Sequence, residues 1–301
     1  MLQTEQASEA RRPPIPLAMQ RVVRQRCAFG CVICGHPLYE YHHMEPYSEV
    51  KQHAESNLTL LCDAHHREAT NGLLTSEQIA VANVTPANFV SGISRPFALH
   101  FAGTELRVEV GSNLFSGGAP HQDGGIAFIP ISVDDTDLLW FRIDDDGRIF
   151  LHVNILDECN LPLLAIVENA LMFRADTWDI EFKGKVLTLR QKPRDIFLEI
   201  EFCPPGFIRI LRGRLLCNGI ELLVQKSHVF IVNSGIVFRE CHIHGGIIGL
   251  QLGRNERGYS CCVRAEPQEL KRYDVDRKKQ MRNHQRVVKM MRPFRESDTG
   301  E

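Results

Sequence analysis

The pattern of hydrophobic and polar residues changes close to residue 89. From there to about residue 252, short runs of Val, Ile, Leu and Phe alternate with Gly, Asp and Asn. Runs of this length and composition, separated by turn residues, are typical of β-strands. The tetrapeptide at 144–147, Asp-Asp-Asp-Gly, predicts a hairpin turn between two of them. The pattern predicts a large all-β domain, with strand-like runs at 106–110, 126–133, 138–143, 149–155, 178–182, 186–190 and 196–202 and a dense series over 207–252.

The sequence leaves the architecture of this β-rich region open. Turn signals at short intervals fit a sandwich or a barrel. Glycines recur through residues 207–252, and their spacing also fits a short β-solenoid with rungs of about twenty residues. Beyond this region, residues 265–292 are rich in charge and predict a basic helical C-terminal tail.

The first 88 residues contain a different series of elements. Apolar positions at helical spacing, aromatic runs and Asn-Gly or Ser/Thr boundary signals predict short helices and strands here. The predicted elements are a basic helix that begins near residue 17 and stops near residues 29–30, strands at 38–42 and 57–61, and helices at 63–71 and 75–83, the last capped by Thr75 or Ser76. We therefore predict an α+β chain in three parts, namely residues 1–88, 89–265 and 266–301.

Composition is that of an ordinary globular protein. The chain has 301 residues, of which 44% are hydrophobic, enough to bury a sizeable core in about two domains. We expect no membrane span, because no apolar run approaches the roughly 18 residues that one requires. The first fifteen residues are polar and do not resemble a secretory signal. Ten cysteines are too few for a disulfide scaffold, so we expect free thiols and a cytoplasmic location.

Charge is distributed unevenly along the chain. The net charge is −2, but residues 1–30 carry +3 and residues 271–301 carry +5, which leaves −10 for the middle. Two basic ends therefore flank an acidic centre, and basic ends are candidates for contact with nucleic acid.

Two Cys/His pairs carry the strongest chemical signal. Cys31 and Cys34 form a C-x-x-C pair, and Cys62 and His65 form a C-x-x-H pair 27 residues later. Pairs of soft ligands at this spacing are typical of structural zinc sites. The alternative is a chance group of cysteines in a unit held by its apolar core. That alternative is weaker, because residues 31–72 offer little else to bury and so small a unit usually needs a metal.

Further polar residues lie between and just after these pairs. His42 and His43 lie at the end of the first predicted strand, Asn57 begins the second, and His66 follows the second ligand pair. In this order the stretch from Cys31 to about residue 71 resembles the HNH endonucleases (ββα-metal or His-Me finger nucleases) in their zinc-stapled branch. Two positions depart from the family pattern: His42 stands where Asp is common, and His65 stands where Cys is usual. Both replacements are still metal-binding side chains.

The resemblance implies a metal-dependent hydrolysis of phosphodiester bonds in DNA. It makes His43 the general base, His42 and His66 the ligands of Mg²⁺ or another divalent cation, and Asn57 the residue that fixes the loop and orients His43. His66 thereby counts both as a catalytic residue and as a metal ligand. Because adjacent strand residues point to opposite faces, the assignment of base and ligand within the pair His42 and His43 stays open. The alternative is that both histidines have no catalytic role and only support the predicted zinc site.

Basic residues at both ends are the candidates for DNA contact. Lys and Arg neutralise phosphates, although a charge run is more often a solvated face. The candidates are Arg21, Arg24, Arg26, Arg67, Lys271, Arg272, Arg277, Lys278, Lys279 and Arg282. A weaker metal-site candidate is the His242-x-His244 pair, which in a β-domain is more often surface decoration.

Three function classes remain in competition. The leading one is an HNH endonuclease whose β-rich domain recognises a target or a partner, with restriction or anti-phage defence suggested by analogy of domain arrangement. The second is a non-catalytic zinc module that binds nucleic acid or protein. The third is a nuclease held inactive until its β-domain binds a ligand or protein partner. A homodimer would suit cleavage of both strands of a duplex. The sequence has no Walker loop, dinucleotide fingerprint or Gly-x-Ser-x-Gly motif.

Overall fold

The N-terminal part of the chain is a small unit of helices around one β-hairpin. The computed structural model describes residues 13–101, 105–173, 179–192, 195–204 and 206–275. The elements of the N-terminal unit are α1 (Leu17–Arg26), β1 (Glu40–His43), α2 (Tyr47–Val50), a 3₁₀ turn (Glu55–Asn57), β2 (Leu58–Leu61), α3 (Asp63–Thr70), α4 (Ser76–Val84) and α5 (Ala87–Ser91).

The hairpin is the centre of this unit. Strands β1 and β2 pair antiparallel, with His42 opposite Thr59 and His43 opposite Leu58. All four residues of β2 are buried, because helices α1 and α3 pack against the strand. The core of the unit is small and combines apolar side chains with the cysteines of the predicted zinc site. Its apolar members include Val23, Val32, Leu58, Leu60, Leu61 and Ile79.

Local sequence signals account for the helix boundaries here. Helix α4 begins after Thr75, whose hydroxyl accepts a hydrogen bond from the Gln78 backbone N–H at 3.3 Å. The Gln78 side chain in turn accepts a hydrogen bond from the Thr75 backbone N–H at 2.9 Å. This reciprocal capping box selects Thr75 rather than Ser76 as the cap. The segment between β1 and β2 contains α2 and the 3₁₀ turn.

Two β-sheets make up the region from residue 106 to residue 265. The first has the strand order β10-β9-β8-β7-β6-β19-β20, with β5 also paired to β6. The second runs β11-β12-β13-β14-β15-β16-β17, and β3, β4 and β18 continue it from β14. The strands are β3 (Leu106–Val110), β4 (Asn113–Gly117), β5 (Ala119–Pro120), β6 (Ile126–Val133), β7 (Thr136–Ile143), β8 (Ile149–Leu156), β9 (Pro162–Val167), β10 (Ala170–Phe173), β11 (Asp179–Lys183), β12 (Val186–Lys192), β13 (Asp195–Cys203), β14 (Phe207–Cys217), β15 (Ile220–Gln225), β16 (His228–Ile231), β17 (Ile236–Phe238), β18 (His242–His244), β19 (Ile248–Leu252) and β20 (Cys261–Ala265).

Side chains from both sheets meet in one hydrophobic core. Phe128, Phe141 and Leu151 enter it from the first sheet, and Leu198 and Ile210 from the second. The region is therefore a two-layer sandwich, one of the architectures that the sequence left open. Strands β6 to β10 and β11 to β17 each form an antiparallel meander, which differs from the parallel rungs of a solenoid. The predicted hairpin turn after β7 is present, and the Asp144 carboxylate accepts hydrogen bonds from two backbone N–H groups within it.

The predicted helical tail finds no support in the part of it that the structure describes. Residues 266–275 contain a single 3₁₀ turn, Pro267–Glu269, and otherwise no regular helix. The rest of the predicted tail lies outside the described residues. The predicted boundary after residue 88 falls inside α5. Among the described residues, no helix combines the length and the apolar character needed to cross a bilayer.

A buried ion-pair network joins the N-terminal unit to the sandwich. Arg24 on α1 is only 4% exposed, and its guanidinium donates to both carboxylate oxygens of Asp179 on β11 at 2.8 Å. It also donates to Glu181 at 3.2 Å and to the Tyr41 hydroxyl oxygen at 2.8 Å. Arg190 on β12 pairs with the same two carboxylates. Burial alone would lower the pKa of Arg24, but the hydrogen bonds to Asp179 raise it above its ordinary value.

Removal of the Asp179 carboxylate tests this network. We expect Asp179→Ala to lower the free energy of unfolding by about 3–5 kcal/mol, because it leaves the Arg24 charge buried without its main partner. The matched control is Lys192→Ala, which breaks an exposed ion pair with Asp195 and should cost less than about 1 kcal/mol. Urea unfolding, followed by circular dichroism and tryptophan fluorescence, measures both. Equal shifts of the two midpoints would contradict a structural role for the network.

Candidate metal centre and active site

The four predicted zinc ligands lie together at one point of the N-terminal unit. The ligand atoms of Cys31, Cys34, Cys62 and His65 are all within 4.8 Å of one another. The Sγ atoms of Cys34 and Cys62 are 3.8 Å apart, and the Cys62 Sγ and His65 Nδ1 atoms are 3.2 Å apart. Tetrahedral zinc with Zn–S bonds of about 2.3 Å places two sulfurs about 3.8 Å apart. Spacing and donor chemistry therefore fit a structural zinc ion, and no other such cluster of three or more ligands occurs in the described part of the chain.

Backbone hydrogen bonds shape the turn that presents the first ligand pair. The Gly35 N–H donates to the Cys31 carbonyl at 2.7 Å, and the Cys31 N–H donates to the His36 carbonyl at 2.9 Å. Gly35 has φ +75°, and a Cβ there would lie 2.0 Å from the buried side-chain oxygen of Asn88. The position therefore requires glycine. The second pair comes from the start of α3, so one metal ion would join the turn to this helix.

Three polar side chains share the surface formed by β1 and α3. The rings of His42 and His66 stand perpendicular with their centroids 5.1 Å apart. A Glu40 carboxylate oxygen lies 3.8 Å from His66 Nδ1, and Glu40 shares the His42 face of β1 because the two residues are two apart on a strand. Burial, and then the neighbouring His66, lower the pKa of His42. A neutral imidazole is the form that binds a metal ion.

His43 lies in a different environment from its neighbour. It is 8% exposed, and its Nε2 atom is 3.1 Å from Nδ1 of His53. His53 Nε2 lies 2.8 Å from the carbonyl oxygen of Pro13. The Tyr47 ring contacts both imidazoles, with centroid distances of 5.5 Å to His43 and 5.0 Å to His53. The two adjacent histidines of β1 therefore face different partners.

Asn57 closes the loop between the two strands. Its side-chain oxygen accepts a hydrogen bond from the Glu45 N–H at 2.6 Å, and its side-chain amide donates to the Glu45 carbonyl at 3.0 Å. Its backbone carbonyl accepts from the Met44 N–H at 2.9 Å. Arg26 supports the same end of the loop through hydrogen bonds to the carbonyls of Glu55 and Leu58. The loop that starts directly after His43 is thus tied at its base.

The residues predicted to contact DNA differ in their exposure and in their partners. The prediction that Arg24 contacts DNA is wrong, because its side chain is buried and its guanidinium is hydrogen-bonded to Asp179. Arg26 is engaged with backbone carbonyls, and Arg21 is half-buried on α1. Arg67 is exposed on α3, directly after His66. Lys271 is exposed beside the sandwich, where Arg272 forms an ion pair with Asp134 at 2.6 Å, while Arg277, Lys278, Lys279 and Arg282 lie outside the described residues.

The geometry of this segment agrees with its family resemblance. Residues 26–72 match the model of the HNH endonuclease family. This segment is an HNH domain. The match covers the zinc cluster, both strands of the hairpin, the loop and α3, and it supports nuclease activity in general terms. Neither the curated proteins nor the solved structures gave a match to the chain.

Two residues beside the site were not predicted from the sequence. Glu40 could have been found, because it stands two positions before His42 on a predicted strand and therefore shares its face. His53 carried no such signal. It lies in the polar loop of the HNH domain, ten residues after His43, and only the folded loop brings the two imidazoles together.

Loss of one cluster thiolate tests the zinc site. We expect one zinc ion per wild-type chain and less than a tenth of that in Cys34→Ala, because a structural site needs its full tetrahedral set. We also expect the HNH domain to become sensitive to protease in Cys34→Ala, since the metal contributes folding free energy. Metal analysis and limited proteolysis measure these effects. Cys203→Ser, which alters a thiol of the sandwich, is the matched control. Retention of stoichiometric zinc in Cys34→Ala would contradict the assignment.

Proposed function

We propose that the chain is a metal-dependent HNH endonuclease that hydrolyses phosphodiester bonds in DNA. The observation that carries this proposal is the meeting of His42 and His66 on one surface of the hairpin and α3 of the HNH domain. His43 follows His42 directly, at the start of the loop that Asn57 closes. These are the positions at which the family resemblance puts the metal ligands, the base and the loop-fixing residue.

His42 and His66 would hold Mg²⁺ or another divalent cation at this surface. When bound, such a cation stabilises the negative charge that develops on the phosphate and the leaving oxygen. The short distance between the two rings supports this role, because their centroids are 5.1 Å apart on the surface shared by β1 and α3. Glu40 supports it further, since its carboxylate lies 3.8 Å from His66 Nδ1 and is close enough to orient that ring. The lowered pKa of His42 keeps that imidazole available as a ligand.

His43 would act as the general base. An imidazole takes a proton efficiently from a water molecule at neutral pH. His43 rather than His42 is assigned this role, because His42 shares its surface with His66 whereas His43 is held by a separate set of contacts. The hydrogen bonds of Asn57 would fix the backbone that follows His43 and thereby its orientation.

Contact with the DNA backbone would involve the exposed basic side chains. Arg67 is the best placed of them, because it follows His66 on α3 and is exposed. Lys271 would add a second contact from the sandwich. We expect this binding to weaken as salt concentration rises, because each phosphate contact releases counterions. A cytoplasmic role in restriction or anti-phage defence and a homodimeric assembly belong to the same proposal.

One observation favours control of the nuclease by the sandwich. Arg24 contacts Asp179 of the sandwich and the hydroxyl of Tyr41, the residue immediately before His42. A ligand or protein that moves β11 would therefore act on the strand that carries the active-site histidines. This second candidate, a nuclease released by a partner of the β-domain, predicts low basal cleavage. The non-catalytic zinc module predicts DNA binding without any cleavage.

Cleavage of supercoiled plasmid tests the proposed activity. We expect the wild type to relax or linearise plasmid with Mg²⁺ or Mn²⁺, and EDTA to abolish this. His43→Ala should lose about 10²–10⁴-fold in rate, the usual contribution of a general base. His228→Ala, which removes an imidazole from the sandwich, should cut like the wild type. Equal rates for His43→Ala and the wild type would exclude His43 as the base.

Metal affinity tests the surface of His42 and His66 separately from cleavage. We expect Glu40→Gln to lower the affinity for Mn²⁺ or the cleavage rate by about 10–100-fold. This is the usual effect of losing a residue that supports a metal ligand. Titration with Mn²⁺ followed by electron paramagnetic resonance measures the affinity directly. Glu49→Gln is the matched control, because Glu49 is exposed and lies on α2 rather than on β1 or α3. Unchanged Mn²⁺ affinity and cleavage in Glu40→Gln would remove Glu40 from the site.

A further inference from the structure

A second histidine stands behind His43. We propose that His53 is a positioning residue that holds His43 as the tautomer protonated on Nε2, so that Nδ1 is the atom that accepts the proton. This inference rests on the proposed nuclease function, and it assigns a role to a residue outside the order of motifs by which the HNH domain is recognised. Three hydrogen-bonding groups carry it: the Pro13 carbonyl, the His53 ring and the His43 ring.

The carbonyl of Pro13 fixes the direction of the whole chain of hydrogen bonds. A carbonyl oxygen can only accept, so His53 Nε2 at 2.8 Å must carry the proton of that bond. In a neutral imidazole the other nitrogen is then an acceptor. His53 Nδ1 therefore accepts, and the atom that faces it at 3.1 Å, His43 Nε2, must donate. It follows that neutral His43 has its lone pair on Nδ1.

The surroundings hold His53 in this arrangement. The Tyr47 ring packs against the rings of both histidines. The hydrogen bonds of Asn57 to Glu45 close the loop that carries His53 and Tyr47. A loop that is tied at its base and packed internally presents His53 in one position. His53 therefore constrains the orientation as well as the tautomer of His43.

The reaction strengthens this contact. One O–H bond of the attacking water breaks as its proton moves to His43 Nδ1, and the oxygen forms a new bond to phosphorus. The bond from phosphorus to the leaving sugar oxygen breaks, and that oxygen takes up a proton from solvent. His43 is then an imidazolium whose Nε2–H still donates to His53 Nδ1. A hydrogen bond from a charged donor is stronger than one between neutral groups. The contact thus favours the transition state over the ground state.

Nitrogen NMR of the full chain, labelled with ¹⁵N-histidine, reads the tautomer directly. The spectra are recorded at about pH 8, above the pKa of a free histidine. We expect His43 in the wild type to carry its proton on Nε2. We expect both tautomers in His53→Phe, which keeps an aromatic ring but removes the acceptor. His53→Asn places an amide oxygen near the position of Nδ1 and should restore the Nε2–H form. His43→Ala identifies the resonances of His43.

Kinetics with the same variants separates positioning from folding. We expect His53→Phe to lower kcat for plasmid cleavage about 10–100-fold with KM and zinc content unchanged, and His53→Asn to recover most of this loss. His228→Phe is the matched control, because it makes the same replacement in the sandwich. If His53→Phe does not retain zinc, the proposal is tested instead by the tautomer of His43 in His53→Asn and in the wild type.

Two NMR results would overturn the proposal. The first is a wild-type His43 that carries its proton on Nδ1 or on both nitrogens at this pH. The second is a His53→Phe protein with intact zinc content and an unchanged His43 tautomer. The NMR measurement needs no cleavage. A protein that shows the expected tautomer but cuts no DNA with any divalent cation therefore contradicts the nuclease function alone.

Discussion

The four-ligand cluster of Cys31, Cys34, Cys62 and His65 is the constraint on which the HNH domain depends. Its apolar core is small, and a unit of this size seldom folds without a metal or a covalent link. The cluster joins the turn after α1 to the first turn of α3. Because His66 directly follows the last ligand, the same constraint sets His66 opposite β1. The metal-ligand cluster and the candidate active site are therefore two results of one local arrangement.

Local chemistry explains why the elements of the HNH domain could be predicted from the sequence. The capping box of Thr75, the apolar run of β2 and the ligand spacing of the cluster all act over a few residues. The sandwich is different, because its sheets depend on pairings between distant strands. Arg107 pairs in parallel with Phe207, a hundred residues further on, and no local pattern encodes such a choice. The sequence could therefore predict strands in this region. The choice among sandwich, barrel and solenoid became clear only from the strand pairings in the structure.

The same distinction separates the site residues that were predicted from those that were not. The meeting of His42 and His66 follows from the family order of motifs. The burial of Arg24 does not, because its partner Asp179 lies 155 residues away and an arginine on an amphipathic helix normally faces solvent. His53 was missed for a related reason. Its contact with His43 is formed by the folded loop that the hydrogen bonds of Asn57 close, and no local pattern in the sequence indicates it.

The ion-pair network fixes β1 of the HNH domain to β11 of the sandwich. Two arginines and two carboxylates balance one another's charge, so the network is stable only while both sides stay in place. Arg24 also holds the Tyr41 hydroxyl, and burial raises the pKa of that hydroxyl to about 12. Tyr41 therefore stays protonated and bound, and the strand that carries His42 and His43 is fixed to β11. The contact between the sandwich and the HNH domain thus reaches, through Arg24, the residue immediately before His42 on β1.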